Sequence, residues 1–159
     1  MRFNPAAILA ALERRQVRYV LIGGLAANAH GARRTTRDVD VIVDRSRENI
    51  ERLADAARDL QVGSPVIDSR RREIDPLDPH DLERAANVSL DTAEGELDVM
   101  NEAKGAPPFE RLAERAVVVE VFGTRVHVVG LDDLIALKRA AGRDVDLRDI
   151  ADLTDRGLD

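Results

Sequence analysis

Cysteine and tryptophan are both absent from this chain of 159 residues, and aromatic residues together make up only 3% of it. Without thiols there is neither a disulfide nor a thiolate metal site, which suits a reducing, cytoplasmic setting. Without many rings, the core has to be assembled from Leu, Ile, Val and Ala. No apolar run approaches the roughly 20 residues that a membrane helix needs. Glu13, Arg14 and Arg15 follow so short an apolar stretch that no signal peptide is expected. A net charge of −6 argues against broad, non-specific binding to nucleic acid. Arginines nevertheless gather at Arg33-Arg34, Arg37 and Arg70-Arg71-Arg72, leaving room for a local phosphate-binding patch. What is present, 44% hydrophobic and 34% charged residues, is the balance of a soluble globular protein. The length suits one domain over 1–159.

The pattern along the chain is regular at both ends. Asn4-Pro5 reads as an N-cap and first helical position, opening a helix to about Arg15 with Ile8, Leu9 and Leu12 on one face. A buried strand over Arg18–Ile22 is broken by Gly23-Gly24, and a short helix, Leu25–Ala29, follows. Arg37–Val43 reads as the next strand, and Ser46 caps a helix whose Ile50, Leu53, Ala54, Ala57 and Leu60 recur at helical spacing. After an irregular middle in which Asp78-Pro79 starts a short helix over Asp81–Ala86, Asn87–Asp91 and Glu96–Met100 pair around a tight turn. Val117–Val121 and Arg125–Val129 form a second hairpin. Two helices, Leu131–Ala141 and Asp144–Thr154, separated by Gly142, occupy the C-terminal end, 131–156. This order predicts an α/β (α+β) fold with a mixed sheet flanked by helices.

The chemistry concentrates in carboxylates. Asp38 and Asp40 lie one residue apart on a strand, so they share a face while Val39, Val41 and Val43 point the other way. Neighbouring anions repel, and burying them is costly without a counter-charge. A divalent cation is the natural one. Asp98, inside the apolar run Leu97-Asp98-Val99-Met100, can supply a third oxygen ligand for Mg²⁺, with Mn²⁺ as the alternative. Gly23-Gly24 closes a strand ahead of this pair. Amide groups beyond such a turn are suited to phosphate, although a bare structural turn is the commoner meaning of two glycines. His30, His80 and His127 show no ligand spacing and read as structural. By spacing alone Lys138 is a solvated lysine, and Asp146 and Asp149 are a solvated helix face.

Gly23-Gly24, the intervening residues 25–37, Asp38-Val39-Asp40-Val41 and the later Asp98 together resemble the signature of the DNA polymerase β-like nucleotidyltransferase superfamily. The stretch Leu131–Arg143 followed by Asp144–Ile150 resembles the Lys-x-x-Ala and Arg-x-x-Asp-x-x-Asp segments of AbiEii-type enzymes, a group that includes toxins of toxin–antitoxin systems. The resemblance implies a nucleotidyltransferase-type fold and transfer of a nucleoside monophosphate from an NTP to an acceptor hydroxyl. In it Asp38, Asp40 and Asp98 are catalytic and hold metal. Gly23, Gly24, Lys138 and Asp146 bind nucleotide, and Asp149 braces Arg143 or a neighbouring helix. Arg33, Arg34 and Arg37 are candidates for acceptor or phosphate contact. The implied partners are an NTP, a tRNA or other RNA acceptor and a cognate antitoxin protein, with no membrane. An aminoglycoside-type transferase and a non-catalytic partner-binding module on the same fold are the rival readings.

Overall fold

The computed structural model describes residues 2–156, so the expected domain span 1–159 extends past it at residue 1 and at residues 157–159, which lie outside the described residues. Helix α1 (Pro5–Arg14) starts as the sequence implies, with the Asn4 side chain accepting from the Ala7 amide and Pro5 in the first turn. Strand β1 (Tyr19–Ile22) is buried along its whole length and runs directly into α2 (Gly23–Ala29). Strand β2 (Asp38–Val43) precedes α3 (Arg47–Asp59), capped by Ser46 onto the Asn49 amide.

The middle of the chain holds β3 (Val66–Ile67), β4 (Glu73–Ile74) and α4 (Pro79–Arg84). The hairpin β5 (Asn87–Thr92) and β6 (Gly95–Met100) comes next, then α5 (Phe109–Arg115) and the hairpin β7 (Val117–Val121) and β8 (Thr124–Val128). Helices α6 (Leu131–Ala141) and α7 (Asp144–Arg156) follow, joined at Gly142, whose φ of 65° is the left-handed C-cap conformation that glycine adopts freely. Three small elements were not expected: the two-residue strands β3 and β4, and α5. Helix α4 starts at Asp78-Pro79 as the sequence implies, with Asp78 capping onto the His80 amide, but ends at Arg84 rather than Ala86.

Six strands form one mixed sheet in the order β5-β6-β2-β1-β8-β7, and β3-β4 is a separate small pair. Parallel pairing joins β2 to β6 and β1 to β8, while the other neighbours run antiparallel. The mixed sheet flanked by helices therefore matches the expected fold. Its interior is aliphatic: Val39, Val41, Leu97 and Val99 are buried on one face of the two central parallel strands. Each such side chain contributes roughly 1.5–3 kcal/mol on leaving water. That burial decides which face the intervening acids must occupy. Among the described residues no helix is long and apolar enough to cross a membrane.

Candidate active site

Strand alternation and one register place the carboxylates. Parallel pairing sets Asp40 beside Asp98 and Asp38 beside Glu96, and Ile22, the last residue of β1, stands opposite Asp40 on the other side. The β5–β6 turn sets the antiparallel pairing of β6 with β5: Gly95 adopts φ 120°, packed where a β-carbon would strike the Phe3 ring, and Thr92 Oγ1 donates to the Gly95 carbonyl. One oxygen from each of Asp38, Asp40 and Asp98 lies within 4.8 Å of the others. Thr36 Oγ1 donates to Asp38 Oδ1 at 3.2 Å and holds that carboxylate.

The protein does not satisfy these acids by itself. Burial, followed by the charge of Asp38, pushes the Asp40 carboxyl up to about 8. Burial also raises Asp98, helped by Asp38 and opposed by hydrogen bonding from Ser89 and Asp40. Both carboxyls therefore hold a proton more readily than an ordinary aspartate does. Asp98 Oδ1 is buried without a hydrogen-bond partner among the described residues. An orphaned buried oxygen beside two further carboxylates is a donor set that fits a hard divalent cation.

The glycine turn abuts this cluster. Gly23 has φ 71°, and a β-carbon on it would run into the Asp40 carboxylate. A β-carbon on Gly24 would lie 2.9 Å from Thr36 Oγ1 and 3.2 Å from Arg34 Cζ. Both residues sit where only backbone fits, and Ile22, preceding α2, offers no side-chain cap to the first amides. Gly23→Ala is expected to lower stability by about 1–3 kcal/mol, from strained φ and displaced carboxylate together. It should also cut transfer at least about tenfold. Urea midpoints and initial rates measured side by side check this, and a variant with unchanged rate contradicts the close approach.

The third wall comes from α6 and α7 and corrects an expectation. Lys138, Asp146 and Asp149 are buried rather than solvated, at 4%, 1% and 5% relative exposure. Lys138 Nζ donates to Asp149 Oδ2 at 2.8 Å and lies 3.7 Å from Asp146 Oδ1. Arg143 is braced by Asp146, through Nε at 2.7 Å and Nη2 at 3.1 Å, and not by Asp149. Asp149 instead bridges two elements, binding Lys138 on α6 and Arg34 Nη1 at 2.6 Å. Burial alone would raise Asp146, but Arg143 and Lys138 outweigh it and hold the carboxyl below its ordinary value.

Asp38, Asp40, Asp98, Gly23, Gly24, Lys138 and Asp146 all line one cleft of about 620 Å³. Of the three loop arginines only Arg34 lines it. Arg33 and Arg37 are exposed, with the Arg33 amide donating to Asp152. Arg143 and Lys104 also line the cleft and were not expected there. Arg143 was visible only as the first letter of a motif, and Lys104 lies in a segment without periodicity. His30 is structural, its Nε2 lying 2.7 Å from the Val129 carbonyl oxygen.

Residues 6–154 match a family described as nucleotidyltransferase of unknown function (DUF6036). No curated protein matches the chain. Among solved structures, a nucleotidyltransferase candidate from Thermotoga maritima superposes with a TM-score of 0.58 at 15% identity, over 94% of this chain and 89% of that one. The lincosamide antibiotic adenylyltransferase LnuA, solved with lincomycin bound, superposes with a TM-score of 0.64 at 16% identity, over 97% of this chain and 98% of its own. At these identities the two structures establish the shared fold.

Proposed function

The chain belongs to the DUF6036 family of nucleotidyltransferases, and on that premise we propose that it moves a nucleoside monophosphate from an NTP to an acceptor hydroxyl at the Asp38, Asp40, Asp98 cluster. The convergence of those three carboxylates within 4.8 Å, on the wall of a cleft that also carries cationic side chains, is the observation that supports this reading. Asp38, Asp40 and Asp98 are the residues that would hold Mg²⁺ or Mn²⁺, and the cation supplies charge neutralisation of the triphosphate and of the attacking oxygen.

The side chains do the rest. The backbone of Gly23-Gly24 lines the same cleft, so that amides of the first turn of α2 can donate to phosphate oxygens. Asp98, whose Oδ1 is free, accepts the proton of the acceptor hydroxyl. The acceptor oxygen forms a bond to the α-phosphorus as the bond from that phosphorus to the bridging oxygen breaks, and pyrophosphate leaves with the electron pair. Leu134 and Leu137 of α6 form an apolar wall of the same cleft, which limits water as a competing acceptor.

The 3′ end of a tRNA, as in AbiEii-type toxins, is the acceptor we place first, reached past the exposed Arg33 and Arg37. A small-molecule hydroxyl is the second reading, favoured by the near full-length correspondence with LnuA, which was solved with lincomycin bound. Incubation with each labelled NTP, Mg²⁺ and total cellular RNA, protein or small-molecule extract tests both. Label on RNA supports the first, label on a small molecule supports the second, and no transfer to any acceptor contradicts the enzymatic reading. Under the RNA reading, Arg33→Glu combined with Arg37→Glu should lower RNA labelling about tenfold at moderate salt, through lost phosphate contacts. NTP affinity measured without RNA should stay unchanged in the same variant.

A further inference from the structure

We propose that Arg143 and Arg34 contact the triphosphate in this cleft, that Asp146 and Asp149 position their guanidinium groups, and that Lys138 is a buried counter-ion that never touches nucleotide. The inference rests on the nucleotidyltransferase reading above, but it reassigns the role that resemblance gives to Lys138.

Lys138 is spent inside the fold. Its side chain is 5% exposed, and its ammonium lies between two carboxylates that are themselves 2% and 7% exposed. Drawing it towards a phosphate would leave both acids without their shared buried cation, a penalty that one phosphate contact does not offset. Its place follows from the helix pair. Gly142 ends α6, and Asp146 and Asp149, three residues apart on α7, present one face to Lys138, with Arg143 just ahead of that helix.

The arginines are arranged the other way. Arg143 is 71% exposed, yet two of its nitrogens are fixed on the two oxygens of a buried carboxylate. Nη1 makes no hydrogen bond among the described residues. A guanidinium is a planar fork, so one edge can be held by Asp146 while the other meets an anion. A lysine cannot divide its contacts in this fixed geometry. Arg34 repeats the device from the opposite side: Nη1 is held by Asp149, while Nε is buried without a partner. Its Cζ packs against Gly24, where a β-carbon would approach to 3.2 Å. The Arg34 guanidinium is thus only partly satisfied by the protein, and both arginines line the cleft that contains the acidic cluster, where an anionic ligand would complete their contacts. The five charged groups leave one net positive charge at this wall.

The test compares equilibrium binding of ATP, GTP, CTP and UTP, each with Mg²⁺, with binding of the matching monophosphates to the full chain. Arg143→Ala and Arg34→Ala should each raise the Kd for the bound triphosphate at least tenfold while leaving the monophosphate Kd within about twofold. Arg143→Lys should restore only part of the loss. Asp146→Asn should reproduce the selective loss of triphosphate, whereas a merely structural residue would weaken both ligands alike. Lys138→Gln, measured at a temperature where circular dichroism reports it folded, should keep the wild-type ratio of the two Kd values within about threefold. A selective loss of triphosphate in Lys138→Gln, or an Arg143→Ala protein within twofold of wild type, overturns the proposal. The second result decides the matter even if the lysine variant does not fold. A wild-type protein that binds none of the four triphosphates overturns the nucleotidyltransferase reading, and this inference with it.

Discussion

Asp40→Asn is expected to reduce nucleotidyl transfer by on the order of 10³-fold or more while raising the melting temperature of the metal-free protein at pH 8. The loss follows from the position of Asp40 between Asp38 on its own strand and Asp98 on the next, where its oxygen completes the three-carboxylate set. A metal's share of transition-state charge stabilisation is several kcal/mol, and about 1.4 kcal/mol corresponds to each tenfold in rate. The gain in stability has the opposite origin. Burial and the Asp38 charge raise the Asp40 carboxyl from 3.8 to about 8, so the native state keeps a proton that the unfolded chain has released. Stability of the metal-free protein is therefore greatest below about pH 4 as far as this group is concerned. It falls as pH rises through the interval up to about 8. An asparagine carries no such charge, and the variant should lose that part of the pH dependence. A divalent cation, binding the native state alone, should recover the wild-type loss at pH 8 and have little effect on the variant. Melting curves at pH 5 and pH 8, with and without Mg²⁺, read all of this. Near-wild-type transfer in the variant, or a melting point at pH 8 below that of the parent, contradicts the metal assignment.

The parts of this site that were legible in the sequence are those encoded locally. Asp38 and Asp40 could be set on one face because strand side chains alternate, and the buried Val39 and Val41 between and beyond them force the acids to the other side. Asp98 stood out as an acid within an apolar run. What made these three a cluster was not local: it is the parallel register of β2 with β6, and no turn connects those strands to announce it. Asp149 was assigned in part to Arg143 because both belong to one motif, whereas its partner Arg34 comes from a loop 115 residues away in the chain. The two-residue strands β3 and β4 offer too few positions for alternation to register. The solvated reading of Lys138 failed for a related reason. Amphipathic spacing identifies which face of a helix is apolar, but it cannot reveal that a second helix covers the polar face with two acids.

Lys138→Met measures how much that covering contributes. The substitution keeps the length and bulk of the side chain in a buried position and removes only the charge. Asp149 is then left with Arg34, which is 24% exposed, and Asp146 with Arg143, which is mostly in solvent. Breaking a buried ion pair by deleting one partner costs about 3–5 kcal/mol, because the surviving charge remains desolvated. For a chain of this size that corresponds to a fall in melting temperature of roughly 10 °C. A solvated surface lysine would move stability by no more than about 0.5 kcal/mol. Adding Asp149→Leu to Lys138→Met removes the stranded anion, so the double variant should be more stable than Lys138→Met alone. The coupling between the two positions should then exceed about 1 kcal/mol. High salt should change this coupling little, since a pair shielded from water is poorly screened. If Lys138→Met melts within a degree or two of wild type, or if the two substitutions add independently, α6 and α7 are held together by their apolar contacts, with no need of the lysine.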